Sequence, residues 1–217
     1  MLYSVKYWDA ALFVIKEKCA ENFLLKTIIY RTNSAIGRGI RGRENVRVQW
    51  NRNSKLSYTP QFLTLDNTPW FPLMGEIHYS RVSNGRWEEE LYKMKAGGIE
   101  LVSAYTIWIH HEEVEGEWDF SGDRDLRKFL QTIKNCGLHC ILRIGPWAHG
   151  EVRNGGFPDW LMQKEKEGQL VTRTNDPKYL RYVREFYGKI AEQARGLLLS
   201  DDGPVAMIQI ENEYGHV

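Results

Sequence analysis

The sequence predicts an α/β fold of the (β/α)8 TIM-barrel type, with about four strand–helix units, the first half of such a barrel, present. From residue 61 onward short apolar runs alternate with amphipathic stretches of helical period, and Gly or Pro stands at nearly every junction. Polar residues able to do chemistry gather just past the carboxyl ends of the apolar runs, where barrels of this kind place their sites. Strands separated by helices imply parallel pairing through right-handed crossovers. The 217 residues fall short of the length of about 250 typical of a complete barrel, so the expectation is a partial one.

The elements follow in order. Phe62 to Leu65, turned by Asp66-Asn67, reads as a short lead-in hairpin strand. Leu73 to Tyr79 is the first buried strand, and Arg86 to Ala96 the helix after it, closed by Gly97-Gly98. Leu101 to Trp108 is the second strand. Asp123 to Asn135 is the second helix, with Ser121 or Asp123 as N-cap and Gly137 at its end. His139 to Ile144 is the third strand, followed by a long loop through Trp160. Pro177 to Leu199 is a long helix, with Asp176 as N-cap and Pro in first position. Pro204 to Ile210, a nearly unbroken apolar run, is the fourth strand, buried on both faces.

Residues 1–55 differ in composition from the rest and are set apart as a basic N-terminal segment with no assignable role; residues 56–217 carry the partial barrel. An amphipathic helix fits Trp8 to Ile29, and Gly37 to Arg43 is an Arg/Gly stretch whose ordinary role is a solvated linker. The net charge of +1 gives no reason to expect nucleic acid or an anionic membrane as partner. Leu12 to Ile15 is too short an apolar run for the core of a signal peptide, and no stretch nears the roughly 20 apolar residues of a membrane span. As written, the chain carries no export signal and reads as cytoplasmic. Cys19, Cys136 and Cys140 have neither metal-ligand spacing nor the even count of a disulfide framework, so they read as ordinary thiols and no metal is expected.

The richest segment is Gln209-Ile210-Glu211-Asn212-Glu213-Tyr214-Gly215, which sits past the last strand. An Asn beside a Glu there suits sugar chemistry: the amide holds a ring hydroxyl while the carboxyl serves as general acid and then base. If the strand stays regular, Glu211 and Glu213 share a side. Glu213 is the expected proton donor, and Glu211 the structural one, held by a buried cation such as Arg143.

Earlier strand ends supply the rest. Alternation in Gly75-Glu76-Ile77-His78-Tyr79-Ser80-Arg81 puts Glu76, His78 and Ser80 on one face. Two readings stay open for this cluster: a support layer beneath a sugar site in which Arg81 neutralises a buried carboxylate, or a structural ion pair. On the second strand Tyr105 is a candidate hydroxyl contact and Trp108 a candidate pocket wall. His110, His111 and Glu112 resemble a metal set, but adjacent strand residues point to opposite faces, so a hydrogen-bonding role is expected. In the third loop, Gly150 lets backbone approach a ligand and Glu151 accepts from sugar hydroxyls. Trp and Tyr, 8 and 11 in number, fit a carbohydrate site but serve equally as core.

The series Gly75 to Arg81, Tyr105 to Trp108, Trp118-Asp119-Phe120-Ser121-Gly122 with Asp125-Leu126, Leu142-Arg143-Ile144-Gly145-Pro146, Gly155-Gly156-Phe157-Pro158-Asp159-Trp160-Leu161 and Gln209 to Gly215 resembles the family 35 glycoside hydrolases, the β-galactosidases. The resemblance runs from about Phe62 to Gly215 with every motif in order. It implies a retaining hydrolase of terminal non-reducing β-D-galactose, without cofactor, acting on galactose-containing oligosaccharides or polysaccharides. It also implies Glu213 as acid/base, Asn212 on a sugar hydroxyl, Tyr105 and Glu151 as galactose contacts, and a nucleophilic Glu on a later strand, beyond Val217. The family is often exported. The chain departs from the pattern at Ile109 and His111-Glu112-Glu113, and at His149-Gly150, where most members carry Cys-Ala or Asn-Ala before the third-strand Glu. A non-catalytic sugar-binding remnant and a barrel glycosidase for another β-linked sugar are the alternatives.

Overall fold

The computed structural model describes residues 56–214. The helix expected at Trp8 to Ile29, the Arg/Gly stretch and residues 215–217 lie outside the described residues. β1 (Leu56–Tyr58), β2 (Leu63–Leu65) and β3 (Thr68–Trp70) form an antiparallel meander, so the single lead-in strand expected from sequence is the middle strand of three. Asp66 and Asn67, at φ 50° and 63°, make the tight β2–β3 turn in the left-handed conformation that matches the twist of the flanking strands.

β4 (Met74–Glu76), β5 (Leu101–Tyr105), β6 (His139–Arg143) and β7 (Val205–Gln209) form a second sheet, parallel throughout and ordered as in the chain. All four expected parallel strands are present, and each ends earlier than the apolar pattern implies. After Glu76 the backbone keeps one ladder bond, from Ile77 N to Ser103 O at 3.0 Å, and then winds into a 3-10 turn at Tyr79–Arg81. Tyr79 drops into the core, where its hydroxyl meets His111 Nε2 at 2.6 Å. The alternation that would align Glu76, His78 and Ser80 on one face therefore stops at Glu76.

The helices are α1 (Trp87–Ala96), α2 (Trp108–His111), α3 (Leu126–Asn135), α4 (Asp159–Lys166) and α5 (Pro177–Ala194). α1 closes on Gly97 and Gly98, with Gly98 at φ 88° and Ile99 N donating back to Met94 O. The cap of α3 is Asp125, which accepts from Lys128 N at 2.8 Å, rather than Ser121 or Asp123, because a 3-10 turn at Gly122–Arg124 comes first. α5 starts as expected on Asp176 and Pro177 but ends at Ala194, short of Leu199, where the chain reverses through Gly196 at φ 72°. α4 begins at the end of the stretch read from sequence as loop and runs on into residues to which no element was assigned.

The apolar faces of α1, α3 and α5 cover one side of the parallel sheet: Leu91, Phe129, Ile133, Val183, Phe186 and Ile190 pack with Val102, Ala104, Cys140 and Leu142. Each Leu, Ile, Val or Phe side chain among them that is fully removed from water contributes about 1.5 to 3 kcal/mol. Trp108 belongs to this core. Its ring is fully buried and stacks on Phe186 with centroids 4.8 Å apart, so it does not wall a pocket as expected. β5 ends at Tyr105, and the helical turn of α2 points the indole inward onto Phe186. Cys136 and Cys140 are buried free thiols, and burial raises the Cys140 thiol well above its ordinary range.

Candidate active site

The end of β7 sets the geometry. Past Gln209 the chain leaves extended conformation, with Glu211 at φ 61° and Glu213 at φ 48°. Strand alternation therefore does not govern these residues, and the two glutamates separate. Glu211 is 5% exposed, and its carboxylate accepts from Arg173 Nη2 at 3.1 Å. Glu213 is exposed. The cation that holds Glu211 is thus Arg173, not Arg143.

Arg143, at the carboxyl end of β6, is engaged elsewhere. Nη1 donates to Glu76 Oε2, Nη2 donates to Asn212 Oδ1 at 2.7 Å, and the guanidinium lies 3.8 Å above the Tyr105 ring. Glu76 also accepts from Ser103 Oγ at 2.8 Å, and His78 Nε2 lies 3.5 Å from its other oxygen. Of the two sequence readings the ion pair is present, made by Glu76 with Arg143 rather than Arg81, and the same guanidinium also holds Asn212. Burial holds the His78 imidazole below its ordinary value, opposed by Glu76.

Asn212 is gripped at both ends of its amide. Oδ1 takes Arg143 and, at 3.4 Å, Gln209 Nε2; Nδ2 lies 2.9 Å from His149 Nδ1. The same His149 nitrogen accepts from Trp147 Nε1 at 2.9 Å and stands 3.9 Å from Glu213 Oε2. Gly150 and Glu151 follow at once, and the carbonyls of both accept from Arg81 Nη2, at 2.7 and 3.2 Å. Arg81 therefore ties down the backbone of the third loop instead of neutralising a carboxylate. The Tyr105 hydroxyl is pushed up to about 12, by burial first; Arg143 opposes the shift, and the negative charges of Glu76, Glu213 and Glu151 add to it. Tyr105, Gly150, Glu151, Asn212 and Glu213 are thus gathered where β5, β6 and β7 end. His149, Glu151, Glu211 and Glu213 all sit at positive φ, a region that costs a residue with a side chain of order 1 kcal/mol and is held here by the surrounding bonds.

His110, His111 and Glu112 are spread by a helical turn rather than by strand alternation. His110 Nδ1 meets Ser80 Oγ at 2.7 Å; His111 bridges the Tyr79 hydroxyl and the Asp119 carbonyl; Glu112 accepts from Trp108 Nε1 at 2.7 Å and Gly116 N at 2.8 Å. Burial lowers both imidazoles to about 4 and raises the Glu112 carboxyl. Separately, a cleft of about 590 Å³ lies where α4 meets α5, lined by Lys164, Lys178, Arg181 and Tyr182 among others. Glu115 pairs with Lys164 there at 3.0 Å.

Sequence reasoning assigned no role to Arg173, Trp147 or His149. Arg173 lies in a polar loop with no motif around it, yet it bonds Glu211 and the Asn212 carbonyl and covers the Trp147 ring at 4.8 Å. The departure at His149-Gly150 was visible, and it falls on the residue that touches Asn212.

The family profile described as "Glycosyl hydrolases family 35" matches residues 62–217. The β-galactosidase of Mus musculus is 38% identical over 164 residues, covering 76% of this chain and 25% of the mouse protein. That of Xanthomonas manihotis is 37% identical over 150 residues, 69% of this chain and 25% of the other. A solved β-galactosidase from the psychrophilic Marinomonas ef1 gives a TM-score of 0.46 at 20% identity, covering 67% of this chain and 22% of that one. The chain spans about a quarter of the length of the curated relatives it matches. With the profile matched across most of its length, the chain belongs to the glycosyl hydrolases of family 35.

Proposed function

We propose that this chain carries the acid/base part of a retaining β-galactosidase site, built on the first strands of a (β/α)8 barrel. The observation that carries the reading is the amide of Asn212, clamped between Arg143 and His149 with Glu213 beside it, at the strand ends where Tyr105 and Glu151 also lie. A rotationally fixed amide is what reading a sugar hydroxyl requires, and an exposed carboxyl next to it is placed to protonate a leaving group. Glu213 takes the acid/base role; Asn212, Tyr105, Glu151 and the Gly150 backbone are the galactose contacts. The substrate class is an oligosaccharide or polysaccharide ending in β-linked galactose.

The barrel reading is supported by four parallel strands in chain order, with β4 and β7 at the edges of the sheet among the described residues. Retaining hydrolysis sets a second carboxylate roughly 5 to 5.5 Å from the acid/base, across the scissile bond. Glu76 and Glu151 share Tyr105's surroundings with Glu213, on neighbouring parallel strand ends, and so approach the sugar from the same side. The proposal therefore assigns the nucleophile to the part of the relatives' length that this chain does not span.

The test is hydrolysis of nitrophenyl β-galactoside by the chain alone and mixed with a separately expressed C-terminal half of a relative. Release in the mixture, with Glu213→Gln lowering turnover of a poor leaving group such as an alkyl β-galactoside far more than of the nitrophenyl substrate, supports the reading. Release by the chain alone would overturn the assignment of the nucleophile, and a preference for another glycoside in the mixture would overturn the sugar.

A further inference from the structure

His149 sits in the third loop at φ 57°, a conformation that Gly adopts without the steric cost a side chain brings. Its ring is only half withdrawn from water, the side chain being 45% exposed, so burial of apolar surface does not account for a histidine there. What the ring does is accept. Trp147 Nε1 is a donor and nothing else, so the nitrogen it faces at 2.9 Å, Nδ1, carries a lone pair.

Asn212 leads to the same result by an independent route. Arg143 has only donors, so the Asn212 atom 2.7 Å from its Nη2 must be the oxygen. The amide nitrogen then faces His149, and it too needs an acceptor at Nδ1. Two donors fixed by their own chemistry thus demand one tautomer: Nδ1 bare, with the single ring proton on Nε2. In that state His149 places no cation against Glu213, although the two side chains stand 3.9 Å apart.

We propose that His149 is the positioning residue of this site: its unprotonated Nδ1 fixes the rotation of the Asn212 amide while placing no cation of its own against the Glu213 carboxyl. Trp147 is the residue that holds the tautomer. The Trp147 ring is itself held, packed against Gly155 on one side and under the Arg173 guanidinium, so the chain of support runs from loop backbone to indole to imidazole to amide. This inference deepens the proposed function and rests on it for the sugar, but not for the tautomer or the amide.

The experiment uses the full chain labelled with ¹⁵N. Two variants separate side chain from backbone, since Asn and Gly both accept a left-handed φ. His149→Asn puts an amide oxygen near the place of Nδ1; His149→Gly leaves no acceptor. In the unmodified chain a long-range ¹H–¹⁵N spectrum is expected to show the His149 Nδ1 without a proton and Nε2 with one, the signals being identified by their loss in His149→Asn. The Asn212 side-chain amide pair should keep its position in His149→Asn and shift in His149→Gly. Galactose affinity, by titration calorimetry, should stay within about threefold in His149→Asn and fall about fivefold to tenfold in His149→Gly, the effect of one hydrogen bond. A proton on Nδ1, or an Asn212 amide unmoved in His149→Gly, would overturn the inference. If the unmodified chain binds no galactose, the proposed function fails, while the tautomer and the amide signals still decide the role of His149.

Discussion

Arg173 and Glu211, with all of α5 and β7 between them in sequence, meet at 3.1 Å in a nearly closed setting, their side chains 12% and 4% exposed. The pair locks the loop before α5 to the backbone that presents Asn212 and Glu213. Breaking a buried ion pair by removing one member costs about 3 to 5 kcal/mol. Arg173→Ala is therefore expected to lower Tm by roughly 10 °C, at about 2 to 4 °C per kcal/mol for a chain of this size. Glu213→Gln, at an exposed position, should leave Tm nearly unchanged. Thermal unfolding of the two variants side by side checks this, and equal losses would refute the division of labour between the glutamates.

Gly155 is a second point of leverage. A Cβ built there would lie 2.3 Å from the Trp147 ring, and its φ of 60° already disfavours a side chain. Gly155→Ala should cost about 1 to 3 kcal/mol and displace the indole. Loss of Tm together with a changed tryptophan emission is the expected result; a variant with native Tm would show that the loop yields freely.

The His111 imidazole gives a pH dependence with a definite sign. Its folded value of about 4 lies below the unfolded value of about 6.5, with burial as the main cause. The unfolded chain then binds the extra proton between those values. This contribution is complete above about pH 6.5, is lost as pH falls toward 4, and changes no further below that. For a group so buried the loss is of order 3 kcal/mol. In His111→Gln the fall in Tm between pH 7 and pH 4.5 should be smaller than in the parent chain. Parallel pH profiles for the two proteins would rule out His111 as the source.

Arg143 joins Glu76 to Asn212. Arg143→Met keeps much of the side-chain volume and removes both bonds, so galactose affinity is expected to fall about tenfold, the loss of one charge-assisted bond at Asn212. Calorimetric titration decides it: unchanged affinity would detach Asn212 from the sugar.

β5, β6 and β7 were legible because a strand buried in such a sheet is an apolar run bounded by Gly and polar residues; β4, expected to be buried, instead has Met74 and Glu76 exposed. Where they stop was not legible. Tyr79 and Trp108 read as strand residues on local pattern; what pulls them out of line is the hydrogen bond to His111 and the stack on Phe186, and both partners lie far along the chain. α4 was missed because its apolar residues, Trp160, Leu161 and Met162, form one short run after a Gly- and Pro-rich loop and do not recur at helical spacing. In the site, the gathering of Tyr105, Glu151, Asn212 and Glu213 followed from their places after consecutive strands. The partner of Glu211 did not follow, because the inference assumed extended backbone, and nothing in the letters Glu-Asn-Glu announces left-handed turns.

The left-handed glutamates and histidine also forecast how the protein will respond to selection for heat resistance. Glycine at His149, Glu151 or Glu213 would relieve local backbone strain, so a screen that scores survival alone has a reason to accept replacements at those positions, whereas the Arg173 pair keeps Glu211 in place. Tolerance there should diverge sharply between a library sorted on folding and one sorted on sugar recognition, and the map of that divergence would outline the working surface residue by residue.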